Sequence, residues 1–116
     1  MKQVETNIDN NILDVLIVTK KLYVDYKYVG HINYSINLYC KDSYIININI
    51  LKHQRNKGYG TFLLQECLSD IKSKYIKKVK LNDISSNYRK QNNIYVKFGF
   101  KYQDNYNNDM IIIYDF

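Results

Sequence analysis

Six consecutive residues carry the clearest chemistry in this sequence: Arg55-Asn56-Lys57-Gly58-Tyr59-Gly60. Two glycines one residue apart let backbone N–H groups approach a ligand without side chains in the way. From Thr61 a helical pattern begins, with Leu64, Cys67, Leu68 and Ile71 recurring at steps of three and four. A helix starting there aims its positive end at the same spot. Loop and helix together suit an anion, a phosphate or pyrophosphate. Spacing narrows the choice. A P-loop requires Gly, four residues and then Gly-Lys-Ser/Thr, which the sequence lacks. A dinucleotide fingerprint requires a third glycine three positions after Gly60, where Leu63 stands.

A strand must deliver this loop. Ile46, Ile48 and Ile50 alternate with Asn47 and Asn49 between Tyr44 and Lys52, the pattern of a half-buried strand. The helix after the loop is expected to end near Lys74, followed by a strand from Ile76 to Ile84. A second, short helix is expected from Ser86 or Asn87, either of which can cap it, to Lys97, with Gly99 stopping it. Strands over Phe100–Tyr102 and Met110–Tyr114 flank a turn at residues 104–109. Upstream, residues 1–11 read as a loose N-terminus and Ile12–Val18 as a first strand. Leu22–Tyr28 and His31–Tyr39 read as strands of a hairpin or bent meander about Val29-Gly30, with a turn at Lys41-Asp42-Ser43. Strands first, then strand–helix–strand–helix–strand–strand, predicts a mixed α/β domain in three layers.

A second run, Tyr95-Val96-Lys97-Phe98-Gly99-Phe100, follows the glycine loop after one helix and one strand. The loop resembles the Arg/Gln-x-x-Gly-x-Gly/Ala loop of the GNAT superfamily of N-acetyltransferases, and the second run resembles that superfamily's Tyr-x-Lys-x-Gly-Phe. The resemblance extends from about Ile45 to the C-terminus. It implies one α/β domain over residues 1–116, with a mixed, mostly antiparallel central sheet flanked by helices. Family members usually place one or two helices between the first two strands, often as part of the acceptor wall. Here residues 19–21 alone separate the expected strands, so those first helices are expected to be missing, leaving the acceptor side open or completed by a partner.

The resemblance also assigns roles. It implies acetyl-coenzyme A as cofactor, its pyrophosphate held by the amides of Arg55, Asn56, Lys57, Gly58, Tyr59 and Gly60, with the Thr61 hydroxyl beside them. The strand end, Ile50, Leu51 and Lys52, would pair with the pantetheine arm and offer an N–H to the thioester carbonyl. Tyr95 matches the family tyrosine near the cofactor sulfur, a candidate general acid; a phenol with a pKa near 10 suits protonating a thiolate. Seven residues before it the family commonly has Asn contacting the cofactor; Tyr88 stands there, with Asn87 beside it as the candidate. The amine must be neutral to attack, yet Tyr44–Lys52 holds no carboxylate. His53, at the strand end, titrates near neutrality and is the favoured base; His31, Asp42 and Asp83 are others. A water relay, or an acceptor arriving neutral, needs none. The expected activity is acetyl transfer to a primary amine, in a small molecule or a protein. The alternative is a GNAT-fold coenzyme A-binding module without turnover that acts through a protein partner.

Length and composition set outer bounds. A chain of 116 residues, 46% of them hydrophobic, makes one folded domain. No apolar run approaches the ~20 residues of a membrane span, and the polar start Met1–Glu5 is no signal peptide, so a cytoplasmic setting is expected. Cys40 and Cys67 make no metal-like pair, and no metal is expected; Cys67 falls on the apolar helix stripe. Fifteen of the seventeen basic residues behind the net charge of +6 are Lys. They accompany many Asn, Ile and Tyr, residues with AT-rich codons, and are scattered rather than striped. That argues against nucleic acid while still suiting a polyanionic cofactor. If the last strand, with Ile111, Ile112 and Ile113, lies at a sheet edge, a second copy is expected to cover it as a homodimer.

Overall fold

A computed structural model of the chain describes residues 1–12, 14–83, 93–103 and 108–115. Four antiparallel strands open it: β1 (Lys2–Ile12), β2 (Val15–Val24), β3 (Lys27–Asn37) and β4 (Asp42–Ile50). Residues 1–11, expected to be loose, thus form an edge strand, paired along β2 from Lys2↔Val24 to Ile12↔Val15. The expected strand Ile12–Val18 is split by a turn at Asp14 (φ 63°), which leaves no room for a helix between β1 and β2. The next reversal lies at Asp25 (φ 50°) and Tyr26 (φ 69°), not at Val29-Gly30. Two successive positive φ values match the right-handed twist of a tight hairpin. Gly30 instead sits inside β3, beside a bulge between Leu22↔Gly30 and Tyr23↔Tyr28. A side chain there would put its Cβ 2.5 Å from the Asn49 carbonyl oxygen, so glycine is what lets β4 lie close.

After a single 3-10 turn at Lys52–Gln54 comes α1 (Tyr59–Ser73), then β5 (Lys78–Asn82), α2 (Ile94–Lys97), β6 (Lys101–Tyr102) and β7 (Asp109–Ile113). The sheet order is β1-β2-β3-β4-β5-β7-β6, antiparallel throughout except for β4 with β5. Within the described residues α2 is shorter than expected; Ser86, Asn87 and most of the expected 104–109 turn lie outside them. Gly99 (φ 100°) stops α2 as expected, with Gly99 N–H bonded to Val96 O (3.0 Å) and Phe100 N–H to Tyr95 O (3.1 Å). The last strand is not an edge: β7 runs between β5 and β6, and Met110 and Ile111 are paired on both sides. The premise for a second copy on that strand falls away there, although Ile113 remains exposed.

Helix α1 crosses β2, β3 and β4 on one face. Its stripe of Leu64, Cys67, Leu68 and Ile71, joined by Leu63, meets Val18, Leu22, Ile32, Tyr34 and Ile36 in one core. Beneath it the buried Tyr34 hydroxyl donates to Asp70 (2.6 Å), whose other oxygen is held by Lys74 one turn on. Burial works against the Asp70 charge, but the bonds from Lys74 and Tyr34 outweigh it and hold the carboxyl below its ordinary range. A lowered folded value means this stabilisation is present at neutral pH and is lost as pH falls through that value. Asp70→Asn is therefore expected to cost about 1–3 kcal/mol at pH 7 and less at pH 3, below the ordinary carboxylate value. Urea denaturation at the two pH values checks it; an equal cost at both would remove the ionic part.

Candidate active site

The ladder between β4 and β5 covers only Asp42–Ile45 against Lys78–Leu81. Directly beyond it β4 carries a bulge: Tyr34 pairs with Ile45 and Asn33 with Asn47, leaving Ile46 as the extra residue. A bulge bends its strand, and here β4 turns away from β5. This also corrects the expected alternation, since Ile45 is buried and Ile46 is 49% exposed. Between the parting strands lies a cleft of about 520 Å³. Its walls are residues 45–50 of β4, Leu81 and Asn82 from β5, the loop and first turn of α1, and Ile94 and Tyr95 of α2.

The β4 wall offers backbone groups. Leu51 N–H bonds to Val29 O on β3 (2.9 Å). Because backbone direction alternates along a strand, Asn49 also faces β3, and the N–H groups of Ile48 and Ile50 face the cleft side. The Ile50 carbonyl accepts from Arg55 Nε (2.9 Å), which ties the loop to the strand end.

At one end of the cleft Gly58 adopts φ 83° as the residue before α1, and no side chain caps the helix. Nothing lies within 4 Å of a Cβ placed there, so backbone conformation rather than space demands glycine. The helix begins at Tyr59, two residues earlier than expected. Its first internal bond is Phe62 N–H to Gly58 O (3.0 Å), and the N–H groups of Tyr59, Gly60 and Thr61 precede the point where a helix supplies acceptors. These donors, with the helix dipole, suit an anion at the cleft wall. Gly60 faces inward: a Cβ there would touch Ile50 Cγ1 at 3.8 Å and Ile94 Cδ1 at 4.0 Å.

Tyr95 comes from the single turn of α2. Asn93 caps that turn, its side-chain oxygen accepting from Tyr95 N–H (2.8 Å) and Val96 N–H (3.3 Å). The Tyr95 ring meets Phe100 edge to face, centroids 6.1 Å apart. Burial, with the Asp83 charge second, pushes its phenol up to about 12. The hydroxyl therefore keeps its proton across the neutral and mildly alkaline range.

Of the residues singled out in the sequence, Ile50, Arg55, Asn56, Gly58, Tyr59, Gly60, Thr61 and Tyr95 line one cleft. Leu51, Lys52 and Lys57 lie off it, though Lys57 holds Gln54, which does line it (3.1 Å). His53 is exposed in the 3-10 turn and off the lining, and Asn87 lies outside the described residues. His31 Nδ1 is engaged with the Tyr28 hydroxyl (2.7 Å) on β3, Asp42 sits at the far end of β4, and Asp83 is fully buried. Among the described residues the lining holds no histidine and no carboxylate, and none group as a metal site. Sequence reasoning missed Ile46, Asn47, Asn49, Gln54, Asn82 and Ile94 as wall residues; Ile94, directly before Tyr95, was the one within reach of a motif.

The family model "Acetyltransferase (GNAT) family" matches residues 5–100. No curated protein sequence matches the chain. Among solved structures, PaiA N-acetyltransferase from Thermoplasma acidophilum in complex with coenzyme A is similar at TM-score 0.63 and 26% identity, over 85% of this chain and 59% of that one. A GNAT family acetyltransferase from Brucella melitensis in complex with acetyl-CoA aligns at TM-score 0.66 and 16% identity, over 84% and 58%. The IAA acetyltransferase from Bacillus cereus aligns at TM-score 0.68 and 18% identity, over 87% and 77%. The latter two speak to the fold alone. The chain spans less than two thirds of the first two proteins.

Proposed function

The chain belongs to the GNAT acetyltransferase family, and from that membership we propose that it is an acetyl-coenzyme A-dependent N-acetyltransferase acting on a primary amine, in a small molecule or a protein. The observation that carries this reading is the parting of β4 from β5, which opens one cleft from the uncapped start of α1 to Tyr95. The residues present fit the cofactor. The amides of Tyr59, Gly60 and Thr61 suit its pyrophosphate, and the bare Cα of Gly60 leaves space that a side chain would fill. The amide-rich pantetheine arm matches the N–H groups of Ile48 and Ile50 on the cleft wall. When bound, acetyl-coenzyme A supplies an acetyl group activated as a thioester. Arg55 keeps the strand end and the loop in register. Tyr95 holds a proton at its hydroxyl, available to a thiolate. With no imidazole or carboxylate among the described lining residues, the acceptor amine enters neutral or loses its proton to water.

That same absence favours a second reading, a module that binds coenzyme A without turnover. One experiment separates the two: calorimetric titration with acetyl-coenzyme A, then thiol release measured against a panel of a polyamine, lysine and a peptide N-terminus. Micromolar binding with amine-dependent thiol release is the expected result. Binding with no release on any amine would establish the silent module, and no binding at millimolar cofactor would overturn both. No described helix is long and apolar enough to cross a membrane. A cytoplasmic setting fits the reading, since Cys40 and Cys67 are both free thiols.

A further inference from the structure

Asp83 follows the last residue of β5, and its side chain is completely shielded from solvent. Its Oδ2 accepts from Asn93 Nδ2 (2.5 Å) and from the Tyr102 hydroxyl (2.9 Å). Asn93, itself 1% exposed, spends its other end capping α2. The three side chains therefore join the end of β5, the start of α2 and the strand β6 at one buried point. A helix of one turn has no length with which to fix its own direction, because its few internal bonds barely offset the order they require. What aims Tyr95 must lie outside the helix. The carboxylamide of Asn93 faces both ways at once: oxygen to the Tyr95 backbone, nitrogen to Asp83.

We propose that Asp83, Asn93 and Tyr102 form a buried clamp that positions the Tyr95 hydroxyl in the cleft. Its purpose rests on the acetyltransferase reading; its geometry does not. The three are positioning residues, and none of them lines the cleft. Burying a carboxylate without a good set of donors is costly, so such a group stays only where the bonds it gathers matter. Tyr102 contributes one of those donors from β6.

The test needs no turnover. Tetranitromethane attacks the phenolate of tyrosine, and peptide mass spectrometry at pH 8 resolves each of the tyrosines. Asn93→Ser keeps an acceptor for the α2 cap but cannot reach Asp83. Tyr102→Phe keeps the ring and removes one donor. If the clamp holds Tyr95 in its half-buried place, each variant lets more water reach the hydroxyl and its phenolate fraction rises, one pK unit being tenfold. Nitration at Tyr95 is expected to quicken about tenfold in Asn93→Ser and severalfold in Tyr102→Phe. Exposed Tyr26 should be unchanged, and buried Tyr34 should stay protected, showing that the fold is intact. Should Asn93→Ser expose Tyr34, the isosteric Tyr102→Phe decides alone. Unchanged Tyr95 nitration in the folded variants would overturn the clamp. In turnover, the clamp predicts a roughly tenfold lower kcat at unchanged KM for acetyl-coenzyme A. Faster nitration in a protein that acetylates nothing would leave the clamp standing and remove the catalytic reading instead.

Discussion

Gly60→Glu is expected to weaken acetyl-coenzyme A binding by at least ~100-fold, or about 2.7 kcal/mol, while the protein melts no lower than before. The opposite signs come from one position. The new Cβ meets Ile50 and Ile94 at ordinary contact distances, 3.8 and 4.0 Å, so the Cβ itself brings no clash. Replacing glycine within a helix restricts the unfolded chain, worth about 0.5–1 kcal/mol. A carboxylate in the first turn adds about 0.3–1 kcal/mol through the helix dipole. That same carboxylate would occupy the donors proposed for the pyrophosphate and repel it. Calorimetry and a thermal melt read the two effects separately. Lost binding with a lower Tm would point to a damaged fold, and unchanged binding would move the anion site off the α1 terminus.

Tyr95→Phe is expected to lower kcat by about 10²–10⁴, the usual contribution of a placed acid, with acetyl-coenzyme A affinity and Tm nearly unchanged. The ring that packs on Phe100 remains; only the hydroxyl is removed. The pH dependence carries a sign. The Tyr95 phenol, raised to about 12, is protonated at every pH below that, so it contributes no alkaline fall in rate until pH approaches 12. A wild-type fall between pH 8 and 10 that vanishes in the Phe variant would contradict the raised value. A variant retaining half the wild-type kcat would end the acid role.

The loop and the α1 stripe were legible because their information is local: two glycines, and apolar residues repeating at helical spacing. Sequence was silent where backbone register decides. The bulge at Ile46 leaves the isoleucine–asparagine alternation untouched on paper, yet it exchanges Ile45 for Ile46 at the core and opens the cleft. The Asp25-Tyr26 turn lacks the Asn-Gly signature, and a two-residue turn does not interrupt a period-two pattern, so Leu22–Tyr28 read as one strand. Strand β1 reads as polar because an edge strand holds its place through backbone bonds while exposing most side chains. Asn93 hid beside another asparagine, and nothing around Asp83 announces a buried carboxylate. His53 was attractive by adjacency in sequence, but the 3-10 turn that carries it faces it outward.

Four residue pairs are all that join β5 to β4, and that economy governs how the molecule is assembled. The strands β1 to β4 pair with their sequence neighbours, closing short loops at low entropic cost, so this meander can form early. The pairing of β5 with β4 must close the longer loop that contains α1, so it is expected to follow the meander, with β7 and β6 building on β5. The cleft is thus finished last, along a seam of four residue pairs. A ligand spanning that seam binds only the completed form and so stabilises it by mass action, slowing amide exchange most in the late-joining strands. In that sense the proposed cofactor would act as a fastener for the strands that arrive second.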